Sequence, residues 1–172
     1  LNVFSMTHTL GTSSGVITPG LGFMYNNNMK LADPEAGGPN AMAPGKARIS
    51  ARCPTIVFRD GKPMLSIGAP GGSVIISSVI QSLCNAMDFG MTAVEAVSAP
   101  RIHCESDMVH IEGRVRSDTV AKLEESGMQT DHRAEGYARD FSRAQLALVR
   151  PDGSLDGGSD PRGGGGVAHS HR

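Results

Sequence analysis

A chain of 172 residues is long enough for one domain with a sizeable core. Its 16 basic and 17 acidic residues leave a formal net charge of -1, without the basic excess that nucleic acid or an anionic membrane surface requires. Glycine is abundant at 22 and aromatics are few, while apolar runs recur along the whole length, so the chain reads as turn-rich and tightly packed rather than disordered.

Cys53, Cys84 and Cys104 are widely spaced and form no CxxC pair, so they read as free thiols, buried or partly buried, rather than metal ligands or a redox pair. No signal peptide or membrane-spanning run is visible. Leu1 is not an initiator methionine and the text opens directly in strand-like sequence, which we read as a processed or trimmed piece of something longer.

In chain order, residues 3–10 carry Val, Phe, Met and threonines and predict a strand, and residues 23–25 a second one. Residues 32–48 turn to Pro, Gly, Asn and Ala, a long loop of the kind that is functional or mobile. Two apolar runs, 54–58 and 64–67, flank Arg59-Asp60-Gly61-Lys62, and Asp-Gly predicts a tight hairpin. A helix is predicted over 74–89 with Ser73 as its N-cap. Its apolar face is expected at Ile76, Ile80, Leu83 and Met87, broadened by Val74, Ile75, Val79 and Cys84. A short helix follows over 92–98, stopped by Ala99-Pro100, then a strand over 108–112 and a helix over 117–126 ended by Gly127. A last hairpin joins 145–150 to 154–157 around Pro151-Asp152-Gly153. Strands and helices mixed with hairpins predict an α+β fold with antiparallel sheets.

The stretch Pro70-Gly71-Gly72-Ser73 sits between the strand and the long helix. Two adjacent glycines let backbone N–H groups approach a ligand without a Cβ in the way, and the helix adds the positive end of its dipole. Such a turn suits an oxyanion, although no matching nucleophile is evident in the chain. A plain turn leading into the helix is the alternative reading.

Several segments in the same order resemble the small subunit of the gamma-glutamyltransferase family. They are Thr7-His8-Thr9-Leu10, Gly22-Phe23-Met24-Tyr25-Asn26-Asn27-Asn28-Met29, Pro44-Gly45-Lys46 with Ser50, and Pro54-Thr55-Ile56-Val57. Gly68-Ala69-Pro70-Gly71-Gly72-Ser73, Ala99-Pro100-Arg101-Ile102-His103 and Ser159-Asp160-Pro161-Arg162 continue the series. The resemblance implies an N-terminal-nucleophile (Ntn) hydrolase with stacked αββα layers. It implies that residues 1–162 are the small-subunit domain without its N-terminal nucleophile segment, and 163–172 are expected to be a flexible Gly/His-rich tail. It implies a precursor that cuts itself, leaving a small subunit whose new N-terminal threonine attacks an amide, with its own α-amine as base. A large subunit from the same precursor is the implied partner and a small-molecule amide the substrate. No cofactor is implied.

By residue, the resemblance makes Gly71 and Gly72 the oxyanion donors and Thr9 the threonine beside the nucleophile, with an ordinary strand threonine as the alternative. Ser50 matches one of two serines that hold a substrate carboxylate, and Asn28 a polar residue near the α-amino group. The Thr-Thr-His that opens the family's small subunit is not among these residues: it either precedes Leu1 or has been lost, so this chain alone is expected to be inactive. A non-catalytic scaffold or interaction module is therefore the reading of a different class. Ala51 stands where the second serine belongs, Leu31 where an acidic residue is expected, and Gly11 where glutamyl-specific members often have Asn. Asp33 substitutes for the acid only if the loop shifts. A buried ammonium without a carboxylate is costly, so these losses favour acyl groups such as oxamate or glutaryl and cephalosporin side chains over γ-glutamyl. Arg101, His103, Asp160 and Arg162 are assigned structural roles, because the mechanism needs no separate histidine base. The six histidines lack metal-ligand spacing, and His169 and His171 would bind a metal only adventitiously.

Overall fold

The computed structural model describes residues 1–8, 13–50 and 52–170. They form two compact units, one of Leu1–Thr7 with Arg52–Arg172 and one of His8–Ala51.

Among the described residues, the larger unit contains β1 (Thr55–Arg59), β2 (Lys62–Gly68), α1 (Val74–Met87), α2 (Ala93–Ser98), β3 (Ile102–Glu105), β4 (Met108–Ile111), α3 (Ser117–Glu125), β5 (Gln129–His132), β6 (Gln145–Val149) and β7 (Leu155–Ser159). The Asp60-Gly61 signal makes the expected hairpin: both residues adopt positive φ, 52° and 74°, the geometry that matches the twist of the flanking strands. Pairing continues from β2 to β6 and from β6 to β7, giving an antiparallel sheet of order β1-β2-β6-β7. One face of this sheet packs on α1 and α2, where Leu65, Ile67, Ile75, Val79, Ala96, Val97 and Leu146 form the main core. Thr92 closes the start of α2 with a capping box, accepting from the Glu95 amide while the Glu95 carboxylate accepts from the Thr92 amide.

The second sheet has order β3-β4-β5, with β3 and β4 antiparallel but β4 and β5 parallel. That parallel pair departs from the all-antiparallel expectation. The return path is α3, whose Val120 packs on Val109 and Ile111 and supplies the crossover that parallel strands need. The sequence reading passed over both β3 and β5. β5 reads Gln-Thr-Asp-His, with no apolar alternation, so its strand character comes from the ladder alone.

Three further expectations are corrected. Residues 3–8 form no ladder, and residues 23–25 contribute only an isolated bridge between Ile17 and Met24, because strand-like composition makes no strand without a paired neighbour. The face of α1 is also rotated from its expected position. Ile75, Ser78, Val79 and Ser82 are buried, whereas Ile76 and Ile80 are 48% and 53% exposed. The two serines are inside because each has a partner: Ser78 Oγ donates to the Phe141 carbonyl at 2.7 Å, and Ser82 Oγ accepts from Arg101 at 3.3 Å.

In the smaller unit, a 3₁₀ turn spans Asn28–Leu31 and a bridge joins Asp33 to Ala41 across the Pro- and Gly-rich loop. Among the described residues no helix is long and apolar enough to cross a membrane.

Candidate active site

The chain leaves β2 through Ala69 and Pro70, bends at Gly71 and Gly72, and enters α1 at Val74. Gly71 has φ 149° and Gly72 φ 78°, both outside the range that side-chain-bearing residues prefer. A Cβ on Gly71 would lie 3.0 Å from Ser142 Cβ and 3.1 Å from Val74 Cγ2, while one on Gly72 would meet open space. Neither amide donates a hydrogen bond to a described residue, and both glycines are exposed at the positive end of a helix of 14 residues. Two unpaired, closely approachable donors are what a developing negative charge on oxygen requires.

Ser73 does not cap the helix as expected. Its backbone is already helical, with φ -63° and ψ -33°, and its hydroxyl donates instead to Glu105 Oε2 at 2.6 Å. Glu105 ends β3, and its carboxyl is held below the usual glutamate range first by that bond and then by His103, whose Nε2 lies 3.5 Å away. His103 Nδ1 in turn meets Ser77 Oγ at 2.8 Å. Ser73, Glu105, His103 and Ser77 therefore tie the first turn of α1 to β3.

On the buried side, Ser142 Oγ donates to the Pro70 carbonyl at 2.6 Å. Ser142 is fully buried with φ 71° and ψ 179°, a conformation that costs a residue other than glycine about 1–3 kcal/mol. One hydrogen bond returns about 1 kcal/mol, so this bond alone does not hold the backbone there. Its neighbours do. The Phe141 carbonyl accepts from Ser78 and Arg101, and the Ala144 amide donates to Asp160 Oδ2 at 2.9 Å.

Arg101 and Asp160 belong to a sealed ionic network with Arg162 and Glu112. Arg101 lies 2.8 Å from Asp160, and Arg162 lies 2.9 Å from Asp160 and 2.5 Å from Glu112. The guanidinium groups also donate to the carbonyls of Val97, Ala99 and Phe141. Burial pulls the Arg101 pKa down despite the opposing charge of Asp160. Burial works against the Arg162 charge too, but hydrogen bonds and charge from Glu112 and Asp160 outweigh it and hold its pKa up. Sequence reading missed Glu112, since a single acidic residue after a strand carries no signal of burial. It missed Ser142 for the same reason.

Asn28 and Ser50 belong to the smaller unit. Asn28 is buried, and both its amide and its carboxamide donate to Asn26 Oδ1 at 3.1 Å. Ser50 is exposed. Asp33 Oδ2 accepts from the Asn40 amide at 3.1 Å, a bond within its own loop. Thr9, Gly11 and Ala51 lie outside the described residues. Among the described residues no group of three or more His, Cys, Asp or Glu is placed to hold a metal ion.

A family model described as gamma-glutamyltranspeptidase matches residues 2–170. The chain belongs to this family. It is 35% identical to the glutathione hydrolase proenzyme of Escherichia coli over 94% of its length, and 31% identical to the acylase ACY 1 proenzyme of a Pseudomonas species over 91%. It spans 29% and 28% of the lengths of those two proteins. The structure of gamma-glutamyltranspeptidase from Pseudomonas nitroreducens complexed with L-DON superimposes with a TM-score of 0.83 at 30% identity, covering 99% of this chain and 94% of that one. Family and structural likeness together give the α+β Ntn-hydrolase fold expected from the sequence motifs.

Proposed function

We propose that this chain is the small-subunit part of an amidohydrolase or acyltransferase that works through a threonine acyl-enzyme, with the Gly71 and Gly72 amides as oxyanion donors. The observation that carries the reading is the pair of unpartnered, exposed amides, both at positive φ, at the start of α1. Relatives named as a glutathione hydrolase proenzyme and an acylase proenzyme support it.

The chemistry balances in two steps. A threonine hydroxyl adds to the amide carbonyl while its α-amine takes the proton; the carbonyl oxygen becomes the oxyanion held at the turn. Collapse expels the amine with that proton and leaves an ester. Water or a second amine then adds through the same oxyanion and releases the acyl group. The attacking threonine would precede Leu1, and a large subunit from the same precursor would complete the site. Thr9 would orient the nucleophile, with Ser50 and Asn28 holding the carboxylate-bearing acyl group.

Leu31, Ala51 and Gly11 support an acyl group without a demanding α-ammonium. Mass spectrometry of the small subunit from the native complex tests the nucleophile, since an N-terminus other than threonine in an active complex overturns the mechanism. A panel of γ-glutamyl anilide, oxamate and a glutaryl amide tests the acyl group. Best turnover of the γ-glutamyl compound overturns the argument from Leu31, Ala51 and Gly11.

A further inference from the structure

We propose that Ser142 is a positioning residue that sets the direction of the Gly71 N–H, an inference that rests on the oxyanion reading above. No cis peptide bond occurs among the described residues, so the Pro70–Gly71 unit is planar and trans, with its C=O and N–H pointing to opposite sides. Ser142 Oγ holds the Pro70 oxygen at 2.6 Å from a fully buried position. Fixing the carbonyl toward the interior fixes the Gly71 N–H away from it, on the exposed side of the turn.

Ser142 has features that packing alone does not explain. Its φ of 71° with ψ 179° is a conformation glycine adopts without strain, whereas serine holds it at a cost. What serine adds over glycine is the hydroxyl, and the hydroxyl goes to the turn. The segment is clamped on both sides, through the Phe141 carbonyl by Ser78 and Arg101 and through the Ala144 amide by Asp160. The buried ionic network is thus continuous with the peptide that presents the donor.

A donor fixed before the substrate arrives needs no reorganisation when charge develops. Loss of that fixing weakens an interaction made in the transition state, so it falls on kcat rather than KM.

The test uses the complete two-subunit enzyme carrying Ser142→Gly or Ser142→Ala. Ser142→Gly removes the hydroxyl and the strain together; Ser142→Ala removes only the hydroxyl. Deleting an oxyanion donor outright costs about 10²–10³-fold, so displacing one is expected to lower kcat about tenfold while KM stays within about twofold. Both variants should remain folded. A kcat for Ser142→Gly within about twofold of the parent overturns the proposal, as does failure of both variants to fold, which would assign Ser142 to the fold alone. If the parent complex cleaves no amide, the amidase reading falls. The crystal structure of Ser142→Gly then decides this inference: a Pro70 carbonyl turned away from residue 142 supports it, and an unchanged carbonyl overturns it.

Discussion

Arg162 Nη2 lies 2.5 Å from Glu112 Oε2, with both side chains sealed from solvent. Glu112 also accepts from the amides of Arg101 and Ala138, so one carboxylate joins the segments that follow α2, β4, β5 and β7. Replacing it by glutamine keeps the shape and removes the charge, leaving two buried guanidinium groups to share Asp160. Glu112→Gln is expected to cost about 3–5 kcal/mol, read as a lowered midpoint of denaturant unfolding. The exposed Arg116–Asp118 pair is the control, and Asp118→Asn should leave the midpoint unchanged. Equal effects at the two sites would mean that the sealed network contributes nothing beyond a surface pair.

Gly71 and Gly72 differ in what surrounds them, and alanine separates the two. At Gly71 the new methyl meets Ser142 and Val74, so Gly71→Ala must shift the turn and is expected to lower kcat by about 10²-fold or more, the loss measured when an oxyanion donor is removed. At Gly72 the methyl finds open space and only the backbone preference is lost, about 1–2 kcal/mol of stability. Steady-state kinetics and thermal melting on the same pair give the comparison. A Gly71→Ala enzyme with parental kcat would remove that amide from the reaction.

The buried stripe of α1 gives a stability contrast that its composition does not suggest. Ser78→Ala deletes a fully buried bond to the Phe141 carbonyl and is expected to cost about 1 kcal/mol. Ile80→Ala removes a larger apolar group, yet from a side chain that is half exposed in this chain, and is expected to cost less. Denaturant midpoints decide between them. A larger loss at Ile80 would show that another surface covers it in the assembled protein.

These contrasts mark where the sequence was legible. Asp60-Gly61 and Pro151-Asp152-Gly153 placed both hairpins because turn chemistry is local. The helices and the Gly71-Gly72 turn followed from spacing and from glycine. The rotated face of α1 was hidden because hydrophobicity ranks Ile76 and Ile80 above Ser78 and Ser82, and only the distant Phe141 and Arg101 reverse that order. β5 was hidden because a polar strand takes its structure from β4. Ser73 looked like a cap because nothing local reveals Glu105, 32 residues away in the chain. In these three cases a partner remote in sequence outweighed a local preference, whereas residues 3–8 and 23–25 lacked the ladder partner that strand composition needs.

That remote carboxylate carries a pH dependence. Glu105 is held below the ordinary glutamate value of about 4.3, first by the Ser73 hydroxyl and then by His103. A carboxyl whose folded pKa is depressed gives stability that is complete above the unfolded value and lost as the pH falls through the folded one. Glu105→Gln keeps an acceptor for Ser73 but has no proton to take up. The difference in melting temperature between parent and variant is therefore expected to narrow from about pH 4 downward. Common acid effects on the other carboxylates cancel in the difference. A gap that is independent of pH down to about pH 3 would show that the Ser73–Glu105 bond does not discriminate between the two protonation states, and would release the first turn of α1 from that anchor.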